Sequence, residues 1–138
     1  MIVIDAKDLI LGRLSAYVVK QALLGETVHV VNAEKVVITG NKRNTIALYK
    51  QRRERGAPMV GPFFPRMPDR IVKRAMRGML DYNKPSGKSA FARIRCHIGV
   101  PESLKDKEAV SFPKMSVDKT HAQYIYIAEI SKELGAKF

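Results

Sequence analysis

The sequence predicts an α/β fold built on a parallel sheet, on three observations. A β-branched run at Ile2, Val3 and Ile4 is followed by a helix-period segment and then by a second apolar run, so strand, helix and strand fit within the first thirty-two residues. A connection of that kind joins parallel strands. The chain's 138 residues suit one continuous core, residues 1–138, and are too few for two independent ones. With 46% apolar and 28% charged residues, the composition is that of a globular chain and excludes intrinsic disorder.

The first strand runs from Ile2 to Ile4 and ends at Asp5. Leu11 to Leu24 places Leu14, Val18 and Ala22 at helical spacing and stops at Gly25. Thr27 to Val31 is apolar nearly throughout, which suits a strand covered on both faces. Val36, Val37 and Ile38 extend to a break at Thr39, Gly40 and Asn41, and Asn41 is placed to cap a basic helix. Pro58, Pro62, Pro65 and Pro68 make the stretch from Gly56 to Pro68 an extended, stiffened loop. Its Met59, Val60, Phe63, Phe64 and Met67 are too apolar for a solvated linker and are expected to dock on the domain.

A strong helix is expected from Asp69, with Ile71, Val72, Ala75, Met76, Met79 and Leu80 on one face and Arg70, Lys73, Arg74 and Arg77 on the other. Asp81 to Ser89, rich in Asn, Pro, Ser and Gly, reads as a turn carrying Lys84 and Lys88. Ala92 to Ile98 alternates with period two, so Arg93, Arg95 and His97 are expected to share one strand face. After a polar, proline-broken stretch from Pro101 to Lys114, Gln123 to Ile127 reads as a last strand and Glu129 to Leu134 as a short final helix.

The charge is unevenly placed. The net charge is +12, and Asn41 to Arg95 alone holds fifteen Lys and Arg against Glu54, Asp69 and Asp81. The flanks balance to zero. A scaffold therefore carries one basic region, 41–95, and an excess of this size concentrates a polyanion at its surface. No apolar run approaches the roughly 18 residues of a membrane span, and the N-terminus lacks the pattern of a secretory leader. The cytoplasm is the expected compartment.

The chemical motifs are weak. Gly87-Lys88-Ser89 imitates the end of a phosphate-binding P-loop, yet position 82 is Tyr where that loop needs Gly. Cys96 and His97 are neighbours on an alternating strand and point to opposite faces, so they cannot act as nucleophile and base, and Cys96 reads as packing. His29, His97 and His121 match no zinc spacing, so neither metal nor cofactor is expected. Asp69 is placed to cap its helix, and Glu54 and Asp81 to offset neighbouring cations. The aromatics of the basic region, Tyr49, Phe63, Phe64, Tyr82 and Phe91, are scattered, which favours recognition of shape and phosphate over base reading. The stripe on the Asp69 helix lacks Trp or Phe anchors for a membrane surface.

Several short runs occur in a telling order: Val3-Ile4-Asp5-Ala6, Leu11-Gly12-Arg13-Leu14, Val31-Asn32-Ala33-Glu34-Lys35 and Thr39-Gly40-Asn41-Lys42. Pro65-Arg66-Met67-Pro68-Asp69-Arg70-Ile71, Arg77-Gly78-Met79-Leu80 and Gly87-Lys88 with Ala90 continue the series. Together they resemble the large-subunit ribosomal protein thirteen family over about the first hundred residues, and the direct start at the first strand, the proline-rich Gly56 to Pro68 loop and the lack of a long basic C-terminal extension resemble its archaeal branch most. One departure is Asp81-Tyr82, where the family has proline directly after Gly-Met-Leu. The resemblance implies a three-layer α/β/α single domain with a small, mostly parallel four-stranded sheet. It also implies a non-enzymatic structural role in the large subunit, with rRNA and neighbouring large-subunit proteins as partners and neither membrane nor small-molecule substrate.

The expected RNA contacts are Lys42, Arg43, Lys50, Arg52, Arg53, Arg55, Arg66, Arg70, Lys73, Arg74, Arg77, Lys84 and Lys88, each meeting phosphate. The proline-rich loop is expected to be an arm anchored by Phe63 and Phe64, from which Arg66 reaches RNA or a neighbouring protein. Two other readings use the same residues: a regulatory RNA-binding module acting outside the ribosome, and an RNA-processing enzyme, which only the α/β scaffold supports.

Overall fold

The computed structural model describes residues 1–138. In chain order its elements are β1 (Ile2–Asp5), α1 (Leu11–Leu23), β2 (Val28–Val31), β3 (Val37–Thr39), α2 (Lys42–Glu54), α3 (Pro68–Gly78), α4 (Pro85–Arg93), β4 (Ile94–Cys96), β5 (Tyr124–Tyr126) and α5 (Ile127–Glu133), joined in places by single 3₁₀ turns.

The expected βαβ unit is present. β1 and β2 pair in parallel with Ile2 opposite Val28, and β2 pairs in parallel with β4, Val28 opposite Ile94. Alternation along these strands sends Ile4, Val28, Val30 and Ile94 into one 23-residue core. Every helix contributes to it: Leu14 and Val18 from α1, Tyr49 from α2, Ile71 and Met76 from α3, Ala90 from α4, Ile127 and Ile130 from α5. The opposite sheet face carries Val3 and Val31, covered by Leu104 of a 3₁₀ turn.

The three-layer arrangement around a four-stranded sheet is therefore corrected. The strands divide into a three-stranded parallel sheet, β1-β2-β4, and a separate antiparallel pair, β3-β5, with Val37 opposite Tyr126. Asn32 takes a left-handed conformation (φ 56°) and a 3₁₀ turn follows at Ala33–Lys35, which turns the chain out of the parallel sheet before β3 begins. No helix covers the second face, because the polar, proline-broken stretch after β4 offers little besides Leu104 and Val110, the latter bridging Ile4.

Two of the runs that carried the resemblance meet at the strand ends, those holding Asp5 and Asn32. Asn32 Nδ2 donates to Asp5 Oδ1 at 2.8 Å, and the Gly99 amide donates to Glu34 Oε2 at 3.0 Å. These bonds satisfy polar groups where β1, β2 and β4 terminate.

Two local readings are also corrected. Pro85 to Arg93 is helix, not turn and strand, so Lys88 lies on α4 and Arg93 leaves the strand face; its Nη1 donates to the Ala22 carbonyl at 3.2 Å. Pro85 sits in the first turn, where a missing N–H costs nothing. Gly87 lies so close to the Asp81 carbonyl that a Cβ there would overlap it. Tertiary packing around buried Ala90 thus overrides a turn-rich composition. At α3 the N-cap is Met67 and Pro68 opens the helix; Asp69 makes no cap, and its Oδ1 is buried without a hydrogen-bond partner. Met79 lies beyond the helix end and is exposed.

Candidate nucleic-acid interface

Asn41 caps α2 as expected, its Oδ1 accepting from the Arg43 and Asn44 amides at 3.0 and 3.3 Å. Only Tyr49 of this helix is buried, so its cations stand at the surface. They do different things. Lys42 and Lys50 face α5, with Nζ to Glu129 Oε2 at 3.9 Å and to Glu133 Oε2 at 3.2 Å. The Arg53 guanidinium is half-buried and Nη1 donates to the Phe64 carbonyl at 2.6 Å, which ties the arm to α2. Arg52 lies 5.3 Å from the Tyr49 ring centre and 6.0 Å from that of Phe64. Arg43 and Arg55 are exposed and unpaired.

The arm itself is split. Phe64 packs on the core, edge-on to Tyr49 at 5.7 Å, as its anchoring role requires. Met59, Val60 and Phe63 do not dock: they are 93%, 83% and 68% exposed. Gly56 (φ 93°) and Gly61 approach so closely that a Cβ on Gly56 would overlap the Gly61 carbonyl, so the loop closes on itself and lifts its apolar tip off the domain. Arg66 is exposed beside it.

On α3, Ile71, Val72 and Met76 are buried and Arg70 and Arg74 are exposed, as the spacing predicts. Lys73 Nζ lies 4.7 Å from the Phe91 ring centre and Arg77 Cζ 4.1 Å from that of Tyr82, so both charged heads rest on aromatic rings and are half-exposed. Lys84 pairs with Asp81 at 2.9 Å, and Lys88 is exposed on α4.

Three hollows gather part of this set. One of about 330 Å³ lies between α2, the arm and α3, lined by Tyr49, Arg52, Phe63, Phe64, Ile71 and Arg74. A second, of about 420 Å³, is lined by Arg53, Arg55 and Arg66 with Glu54 and Phe63. A third, of about 710 Å³, holds Lys42 and Arg43 with His121, Tyr124 and Glu129. Lys50, Arg70, Lys73, Arg77, Lys84 and Lys88 line none of these. The sequence reading missed the convergence of Tyr49, Phe63 and Phe64. Its one local sign is Arg52 three residues after Tyr49 on a helix.

Burial raises the Tyr49 phenol above its ordinary range, against the opposing pull of Arg52. Burial also pushes the Cys96 thiol up to about 12, so it is no nucleophile at neutral pH. Its side chain packs on the core, while His97 faces the other way and meets His29, Nε2 to Nδ1 at 3.0 Å. No three His, Cys, Asp or Glu side chains converge as a metal site, and no helix is long and apolar enough to cross a membrane.

Residues 1–103 match the family model described as ribosomal protein L13. The chain is 45% identical over 140 residues to large ribosomal subunit protein uL13 of Methanosarcina barkeri, with 100% of both chains covered. It is 47% identical over 142 residues to the uL13 of Methanocaldococcus jannaschii, again across 100% of each. The uL13 of Archaeoglobus fulgidus is 44% identical over 135 residues, covering 96% of this chain and 86% of that protein. These relatives are archaeal, as the resemblance implies. The chain belongs to the ribosomal protein L13 family, structural proteins of the large ribosomal subunit and not enzymes.

Proposed function

We propose that this chain acts as one unit over residues 1–138 that holds folded rRNA in the large subunit through phosphate contacts and so supports subunit assembly in the cytoplasm. The observation that carries this reading is the confinement of the whole +12 excess to residues 41–95, which fold into α2, the arm, α3 and α4. Exposed, unpaired Arg43, Arg55, Arg66, Arg70, Arg74 and Lys88 meet phosphate first. Lys42, Lys50 and Lys84 exchange their exposed carboxylate partners for phosphate at small cost, because surface ion pairs contribute at most about 1 kcal/mol. Arg52, Lys73 and Arg77 add contacts from aromatic seats, and Arg53 chiefly holds the arm. The bare apolar tip at Met59 and Val60 seats on a neighbouring ribosomal protein, since RNA phosphate offers such side chains nothing.

Sedimentation of a native extract, with a high-salt wash of the large-subunit fraction, tests this. One copy per large subunit, released by salt, is the expected result. Recovery in light fractions with RNA affinity intact would favour the regulatory module. With six phosphate contacts, affinity for rRNA falls by roughly 10³ between 50 and 200 mM salt. A flat salt response refutes the phosphate mechanism.

A further inference from the structure

We infer that the recess between α2, the arm and α3 receives a single unstacked RNA base, guanine in preference. This rests on the rRNA-binding reading above and adds base recognition to it.

The walls are aromatic: Tyr49 and Phe64 meet edge-on at 5.7 Å, and Phe63, left 68% exposed by folding, supplies a ring with free surface at the mouth. Unstacked bases are held on rings and guanidinium planes of this kind. The recess is also preformed. Arg53 fixes the arm by its 2.6 Å bond to the Phe64 carbonyl, and Arg52 is held against both the Tyr49 and Phe64 rings. At about 330 Å³ the space matches the lower end of small-ligand sites, roughly 300 Å³ and upward. A duplex cannot enter it.

The charged groups lining the recess decide what enters. Arg52 and Arg74 only donate, and no carboxylate is present. An aliphatic side chain from a partner protein would strip water from two guanidinium groups and return no acceptor, which is costly. A base with paired acceptors returns them. Guanine presents O6 and N7 side by side, the pair that a guanidinium fork meets with two bonds, whereas adenine and cytosine each bring an amino donor to the same edge. Beyond the Tyr49 to Arg52 spacing nothing local signals this, because Tyr49 comes from α2 and the Phe63-Phe64 pair from the arm.

The test uses the full chain and labelled RNA hairpins that differ only in one bulged position: guanine, adenine, cytosine, uracil or an abasic sugar. Anisotropy at fixed salt gives the affinities. The guanine bulge is expected to bind between about fivefold and a hundredfold tighter than the abasic one. In Phe63→Ala, a change at an exposed side chain, that ratio falls to about one, and in Phe63→Tyr it is retained. A ratio of one in the unaltered protein, with the unbulged hairpin still bound, overturns the recess and leaves phosphate binding standing. A ratio that survives Phe63→Ala places base recognition elsewhere and also overturns it. Equal affinity for all four bases overturns the guanine preference. Failure to bind any hairpin at low salt overturns the rRNA reading itself.

Discussion

Gly87 is expected to be a packing residue, and Gly87→Ala tests that directly. In an ordinary helix the change favours stability by about 1 kcal/mol. Here the added methyl group meets the Asp81 carbonyl and the Tyr82 amide, which are backbone and cannot swing aside. Relief requires shifting the turn between α3 and α4, where the Lys84 amide donates to the Asp81 carbonyl at 3.1 Å. Overpacking of this kind costs about 3 kcal/mol at the upper end of its usual range. Subtracting the helix gain leaves a net loss of about 2 kcal/mol, or a fall in melting temperature of about 7 °C for a chain of this size. Thermal unfolding followed by circular dichroism reads it. Gly78→Ala is the control, since nothing lies within 4 Å of its Cβ position and the same substitution should be neutral or stabilising. A Gly87→Ala protein as stable as the parent would refute the packing argument.

Three further outcomes follow from named contacts. Arg53→Ala removes a charge-assisted bond to the Phe64 carbonyl and should cost about 1.5 to 3 kcal/mol, with faster protease cleavage within the arm; unchanged cleavage would mean that the arm is held elsewhere. Met59→Ser with Val60→Ser should leave the unfolding free energy within about 0.5 kcal/mol of the parent, because both side chains are exposed, while retention on large subunits falls. Undiminished retention would remove the arm tip from the interface. The His29–His97 pair should make stability depend on pH. Burial lowers both imidazoles below 6.5; at His29 the charge of His97, then Arg95, Lys107 and the N-terminus lower it further, and at His97 Arg95 lowers it while Asp69 opposes. A depressed folded pKa means that the stabilisation is complete above the unfolded value and is lost as pH falls below it. The melting temperature should drop between pH 7.5 and 5.5, and replacing both histidines with valine should flatten that slope; an unchanged slope would exclude the pair as its source.

What the sequence reveals is what local pattern controls. The β1-α1-β2 unit, the Asn41 cap and the Arg70 to Arg77 stripe each rest on spacing within one element, and each is found. The α4 helix is hidden because Pro85, Ser86 and Gly87 are turn formers by composition, and the reason for Gly87 lies across space at Asp81. The division into two sheets is hidden because β3 pairs with β5 from the far end of the chain. The docking of Phe64 beside a bare Phe63 could not be read either. Adjacent residues on an extended segment face different ways, and only the position of Tyr49 decides which of them finds a wall.

The late pairing of β3 with β5 has a consequence for the order of events during synthesis. Val37 and Ile10 close their cluster only when Val117 is present, and the main core draws Ile125, Ile127, Ile130 and Leu134 from a stretch that the family model does not reach. A chain emerging from its own ribosome thus exposes the α2 segment before α5, the helix it packs against, has been made. During that interval Lys42 and Lys50 have no carboxylate to face, and any polyanion nearby competes with Glu129 and Glu133 for the same two ammonium groups. The C-terminal helix is in this sense a timer: its arrival completes the core and gives Lys42 and Lys50 the carboxylate partners that they keep until RNA is met.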